Sequence, residues 1–300
     1  MLKHIYAAAA VLIFCALTLN YANAEDEWDP VSAGTVTTWT APLCAKGELV
    51  AQPFFFYNNT RGTFNSDGHY DSLPSGDKKY QFLQQLFAQY GLTDRFEIDA
   101  QIEYKENFLR QNGDSANSSG FGDSVGFLRY CLQEETGSLP YAAALFQLKI
   151  PTGEYQHADD SRLGTDLTGA GSWDPGLGII LTKKFKPFVA HCDFIYSAPL
   201  ETKIDGVKTR YADYLNYDFG LEYFLSHRFN LMFEANGFLQ SDKKEDGART
   251  DDSNVNYFTV SPGIGWSCEK VQAVLAYQRV LTGTNADAND SVVLTFVRSF

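Results

Sequence analysis

The stretch RFEIDAQIEYK, residues 95–105, alternates without a break. Phe96, Ile98, Ala100, Ile102 and Tyr104 fall on one side of an extended chain, and Arg95, Glu97, Asp99, Gln101, Glu103 and Lys105 fall on the other. Successive side chains of a strand point to opposite faces, so this segment has one apolar face and one densely charged face. A soluble sandwich would turn the apolar face to a core and the charges to bulk water. A membrane barrel would turn the apolar face to lipid and the charges to its interior.

The rest of the chain favours the barrel. Period-two segments of about ten residues recur near 47–58, 80–90, 95–106, 120–133, 140–150, 174–183, 187–197, 212–224, 229–240, 255–267, 271–281 and 291–300, about twelve in all. That is the length a tilted strand needs to cross a bilayer. In LNYDFGLEYF (215–224), Leu215, Tyr217, Phe219, Leu221 and Tyr223 share the outward phase, with Asn216, Asp218 and Glu222 inward. In FNLMFEANGFLQ (229–240), Asn230, Glu234, Asn236 and Gln240 point inward. Connections alternate in length: short turns at 91–94, 134–138, 183–186, 225–228 and 268–270, and long polar loops at 59–79, 107–119, 151–173, 198–211, 241–254 and 282–290. This is an up-and-down meander with one smooth and one shaggy end. An open sheet in lipid would leave two edges of unpaired backbone groups, each costing several kcal/mol, so the sheet must close. Aromatics fall where interfacial girdles belong: Phe96, Phe188, Tyr223, Phe229, Trp266 and Phe300 near the turns, Tyr57, Tyr80, Tyr104, Tyr196 and Tyr277 near the loops. The fold class read here is all-β, a transmembrane antiparallel barrel of about twelve strands.

Residues 1–24 carry a basic start at Lys3, a short apolar stretch and a small-residue ANA ending at Ala24, the pattern of a cleaved secretory signal. Residues 25–46 are then expected as a periplasmic segment and residues 47–300 as the barrel in the outer membrane of a Gram-negative bacterium. Short turns face the periplasm in such barrels, which puts both termini there. The formal charge of −13 over 300 residues excludes the basic footprint that nucleic acid requires. Partners are therefore membrane lipid and a small solute. The chain ends in SVVLTFVRSF, with Val292, Leu294, Phe296 and terminal Phe300 on one face. This looks like the signal read by the outer-membrane assembly machinery, from which Arg298 departs.

Four stretches, GFGDSVGFLRY (120–130), LKIPTGEY (148–155), LGTDLTGAGSWDPGLG (163–178) and LTKKFKPF (181–188), resemble the outer-membrane family of transporters linked to the meta pathway of phenol degradation. The resemblance implies a barrel that takes up small, often aromatic, compounds, and it supplies no catalytic residues.

The inward positions are the candidate channel lining: Glu97, Asp99, Gln101, Glu103, Lys105, Lys149, His191, Asp193, Asn216, Asp218, Glu222, Asn230, Glu234 and Asn236. Carboxylates outnumber bases among them, which favours cations and repels anions. The competing reading pairs these charges across the lumen and plugs it, since small barrels fill their interiors with side chains. Loop 151–173 could fold inward as a constriction carrying Asp159, Asp160, Arg162 and Asp166. His191 and Asp193 lie two residues apart, yet a hydrolase would also need a nucleophile beside the His and an oxyanion site, and no G-x-S-x-G occurs. No cofactor is implied, and no spacing of metal ligands appears. Cys44, Cys131 and Cys268 map near the turn end, so a bridge from Cys44 to Cys131 or to Cys268 would pin segment 25–46 at the mouth. The expectation is a passive channel for small neutral or cationic solutes. A plugged barrel acting through its loops is the alternative, and an outer-membrane hydrolase comes third.

Overall fold

A computed structural model describes residue 30, residues 32–268 and residues 270–300. Twelve long strands form the barrel: β1 (Leu49–Phe64), β2 (Lys78–Thr93), β3 (Phe96–Gln111), β4 (Ser124–Gln133), β5 (Tyr141–Ile150), β6 (Asp174–Phe185), β7 (Phe188–Ser197), β8 (Tyr214–Phe224), β9 (Phe229–Gln240), β10 (Val255–Cys268), β11 (Val271–Thr284) and β12 (Ala286–Ser299). Each pairs antiparallel with its chain neighbours, and β12 returns to β1 with Phe54 opposite Thr295 and Phe55 opposite Leu294. Closure removes the free edges from the barrel wall, as hydrocarbon requires. The amide of Phe300 donates to Leu49 O at 2.9 Å, completing the seam, and the Arg298 guanidinium lies over the Phe300 ring at 5.1 Å. The expected signal segment lies outside the described residues.

The two faces of the opening stretch separate as the alternation requires. Ile98 is 49% exposed and Asp99 2%, so the apolar side chains form the outer belt while the charges point into a filled interior. Tyr217 sits on the outward face but is buried, because its ring lies across Gly237 of the paired strand, where a Cβ would come within 1.9 Å of the ring. An aromatic on one strand here covers the backbone that a glycine bares on the next.

Two expected loops are strands instead. Residues 107–119 continue β3 and turn at Asn112–Gly113, both at positive φ, into Asp114–Phe121, which pairs back on β3. The Asn-Gly pair is a strong hairpin signal, because both central residues of such a turn need φ > 0. Residues 282–290 likewise form the β11–β12 hairpin, turning at Asn285 with φ 48°. Beyond the barrel rim, short strands in 202–210 and 244–249 make a separate four-stranded sheet.

The larger departure concerns the N-terminal segment. Residues 32–44, expected at the mouth, lie inside the barrel. Trp39 packs edge-on against the inward rings of Phe87 (5.2 Å) and Phe127 (4.9 Å), and Val36 and Ala41 join the buried cluster there. The segment has no charged residue from Pro30 to Ala45. It can therefore enter a low-dielectric interior at no cost in charge desolvation, provided its backbone groups find partners.

Candidate functional site in the barrel lumen

Those partners are the inward carboxylates. Glu234 on β9 is wholly buried, and its Oε1 accepts from the backbone amides of Val36 (2.8 Å), Thr37 (2.8 Å) and Thr38 (2.7 Å) and from Thr35 Oγ1 (2.5 Å). Its Oε2 accepts from Thr37 Oγ1 at 3.0 Å. Three successive amides converging on one oxygen form a nest, the backbone arrangement suited to an anion. Room for it comes from Gly220 on β8, opposite Glu234, where a Cβ would stand 2.6 Å from Thr35 Oγ1.

The other anchors follow the chain toward the turns. Asp193 on β7 accepts from the Trp39 amide at 3.0 Å. Thr182 on β6 accepts from the Ala41 amide at 2.9 Å and lies 3.0 Å from His191 Nδ1, while His191 Nε2 lies 2.9 Å from Glu222. The arrangement that uses each donor once has the Thr182 hydroxyl donating to Nδ1 and Nε2–H donating to Glu222. Glu222 also accepts from Ser32 Oγ at 2.6 Å and from the Asn230 amide. Arg129 on β4 and Glu97 on β3 form a fully buried ion pair at 2.6 Å. The second guanidinium nitrogen of Arg129 donates to the carbonyls of Thr40, Ala41 and Pro42, its face lies 5.3 Å from the Trp39 ring, and Glu97 accepts from the Cys44 amide. The segment enters where Gly91 has no side chain: an added Cβ would stand 2.1 Å from Ala45 O.

Of the residues read as channel lining, Glu97, Asp193, Glu222 and Glu234 thus hold the inserted segment, and Asn230 and His191 brace Glu222. Asp99 is buried beside Glu97, with which it shares a side-chain hydrogen bond. Asp218 and Asn236 bond to each other at 3.0 Å. Nearer the loops, Lys105 pairs with Glu103 (2.7 Å) and Lys149 with Asp174 (2.5 Å). Gln101 and Asn216 line open space.

Loop 151–173 folds onto the barrel through backbone contacts. Lys105 donates to Thr168 O at 2.8 Å, Asn107 to Thr165 O at 2.8 Å, and Asp123 accepts from the amides of Gly153 and Ala170. Its charged quartet shapes the loop itself: Asp159 accepts from Ser161, which holds its carboxyl below the usual range, Asp166 accepts from the Asp159 amide, and Arg162 reaches Asn117 O. Asp160 is exposed on a single turn of 3₁₀-helix. Leu163, Gly164, Thr165 and Leu167, instead, reach the mouth opposite Asn58 and Lys79.

Cys44, Cys131 and Cys268 carry unbridged thiols, so the expected disulfide is not formed. Polar contacts pin the segment in place of a covalent bond. Burial, followed by the neighbouring Glu97 carboxylate, pushes the Cys44 thiol well above its usual range. No group of three or more His, Cys, Asp or Glu that could hold a metal ion occurs among the described residues. Ser32 bonds to the same Glu222 that His191 faces, so its hydroxyl is not presented to the imidazole as a nucleophile.

Open space remains beside the inserted segment. A cavity of about 730 Å³ opens at the loop end between β1 and β10–β12, lined by Phe56, Phe64, Tyr257, Asn58, Gln278 and Asn289. A second, of about 490 Å³, lies beside the segment against β1 and β2, lined by Gln52, Phe54, Phe56, Gln85, Phe87 and Gln89. A third, of about 360 Å³, reaches the turn end past Glu48 and Lys270. The inward polar face was legible in the sequence. The inserted segment was missed, and its signal lay in the uncharged run 30–45 together with inward glycines at 91 and 220.

The sequence profile of the family described as the MetA-pathway of phenol degradation matches residues 105–296. Among solved structures, an outer membrane channel from Pseudomonas putida F1 is similar at TM-score 0.71 and 17% identity, covering 91% of this chain and 100% of that one. The NanC porin gives TM-score 0.49 at 8% identity, covering 83% of this chain and 98% of its own. The TodX monoaromatic hydrocarbon channel gives 0.43 at 8%, covering 91% and 97%. No curated protein matches the sequence.

Proposed function

We propose, on the premise that the chain belongs to the outer-membrane β-barrel family described as the MetA-pathway of phenol degradation, that it is a passive channel for small neutral solutes, aromatic ones included. The observation that carries this reading is the use to which the lumen puts its charges. Glu97, Asp193, Glu222 and Glu234 are occupied by residues 32–44, so the wall a solute meets is chiefly amide and aromatic: Asn58, Gln278 and Asn289 with Phe56, Phe64 and Tyr257. Asp287, at the rim of the same cavity, is paired with Lys79 at 2.6 Å. Such a wall offers ring faces and neutral hydrogen bonds, and no uncompensated charge that would reward a cation. The cationic solutes expected from the carboxylate count are therefore replaced here by neutral ones. The tip of loop 151–173, at Leu163–Thr165, narrows the mouth. The turn end faces the periplasm, and Phe300 at the closed seam is the group offered to the assembly machinery.

The similar barrel from Pseudomonas putida F1 is an outer membrane channel, which supports the same reading. A second reading, a sealed barrel acting through its loops, draws on the dense anchoring of the inserted segment. Liposomes loaded with purified protein separate the two. A channel admits a neutral, membrane-impermeant aryl glycoside faster than an aryl carboxylate of the same size, and removing residues 156–168 speeds entry. A sealed barrel admits neither, with the loop or without it.

A further inference from the structure

We infer that solute passes beside the inserted segment, along a fixed lane that follows β1, and that the segment stays in place while it does so. The inference rests on the channel reading above and names its route.

Three observations converge. First, the described hydrogen bonds that hold residues 32–44 fall on β3–β9 and, through Gln272, on β11. The segment is bound to one side of the lumen. Second, the cavities all run along β1 and share walls, although the lower one also reaches the anchors Thr182, His191, Glu222 and Gln272. The mouth cavity and the middle one have Phe56 and Tyr257 in common, and the middle and lower ones have Ala33, Thr40 and Gln89 in common. They form one descending series from the loop end to the turn end. Third, the middle cavity is close to neutral. Gln85, Gln89 and Gln101 alternate with Phe54, Phe56 and Phe87, and the charged group among its lining residues, Arg129, is held by Glu97 and three carbonyls of the segment.

The chemistry fits one solute class. A planar ring can slide over the phenylalanine faces while its hydroxyl or carbonyl groups exchange hydrogen bonds from one glutamine to the next. An ion gains nothing there to offset the water it would shed. Displacing the segment would be a different mechanism, and a costly one. It would orphan three amides at Glu234 and strand the Glu97–Arg129 pair away from its carbonyls.

A lock on the segment tests the lane. Thr35 Cβ lies 3.4 Å from the position of a Cβ at Gly220, at the short edge of the separation a disulfide spans. The double substitution Thr35→Cys and Gly220→Cys, oxidised and checked by peptide mass, ties the segment to β8. Uptake of the neutral aryl glycoside into liposomes is then expected to match that of the reduced form, and Gln85→Trp, which fills the lane, is expected to slow it roughly tenfold. Phe56→Ala, which widens the first neck, should speed it and needs no locked barrel. Uptake that the oxidised bridge abolishes and reduction restores overturns the lane, as does uptake indifferent to both Gln85→Trp and Phe56→Ala. No uptake by the wild-type protein would overturn the channel reading itself.

Discussion

At Glu234 a single carboxylate replaces the secondary structure that residues 35–38 lack. A buried amide left without an acceptor loses about 1–3 kcal/mol, so the three amides and two hydroxyls that converge on this side chain set the local stability of the segment. Glu234→Ala is expected to loosen it by about 2–4 kcal/mol, which speeds amide hydrogen exchange at 36–38 roughly 30- to 1000-fold while leaving exchange in the barrel strands unchanged. Unaltered protection at those three amides would show that the nest does not hold them. Glu97, Asp99 and Arg129 give a sharper contrast, because two acids and one base share a buried site. Arg129→Met strands the Glu97 charge and should cost about 3–5 kcal/mol, read as a lowered denaturation midpoint in detergent; adding Glu97→Gln should return part of that loss. Asp99→Asn keeps a hydrogen-bonding group beside Glu97 while removing an acid that no described base pairs, and it should leave the midpoint unchanged or raise it.

The inserted segment is an element defined by what it touches and not by its own backbone pattern, and its entry depends on Gly91. Gly47 N donates to Gly91 O at 2.8 Å and Gly91 N to Glu48 O at 3.1 Å, while Ala45 O occupies the space of the missing side chain. Gly91→Val should push the segment off this path, and Cys44 reports it. In the wild type the thiol is held above its ordinary pKa by burial and by Glu97, so the reactive thiolate is scarce at about pH 8–9 and alkylation is slow. Once displaced, Cys44 should regain an ordinary thiol pKa and label readily at about pH 8.5. Slow labelling in the variant at that pH would mean the segment had not moved. The same element marks where the sequence stopped being legible. Strands announce themselves by period two, and Ile98 and Asp99 went to the faces that their alternation required. Residues 32–44 follow no period, since their backbone amides are satisfied by side chains far away in sequence, 53 positions on at Glu97 for Cys44 and 198 at Glu234 for Val36. Alternation showed that Glu222 and Glu234 point inward, but not what they meet there. The Asn112–Gly113 turn differs in kind, because its hairpin signal is local and could have been read directly.

For the whole molecule, the barrel and the segment are complementary in charge: the wall supplies Glu97, Asp99, Asp193, Asp218, Glu222 and Glu234 against Arg129, and the segment supplies uncharged donors. Neither half has the same transport character alone. Without residues 32–43 the lumen would fill with water, the carboxylates would ionise in it, and a field of one sign would line a passage wide enough to conduct. Deleting 32–43 is therefore expected to convert a small, weakly selective conductance into a larger one that passes K⁺ well ahead of Cl⁻. The sign of the reversal potential in a KCl gradient measures this directly. Raising the salt should weaken the preference, since mobile ions screen the ring with a Debye length that falls from about 10 Å at 0.1 M to about 3 Å at 1 M. A deletion variant that refolds to the same strand content and still favours neither ion would mean that the carboxylates are neutral or paired without the segment, and the lumen could not then be a charged wall shielded by an uncharged insert.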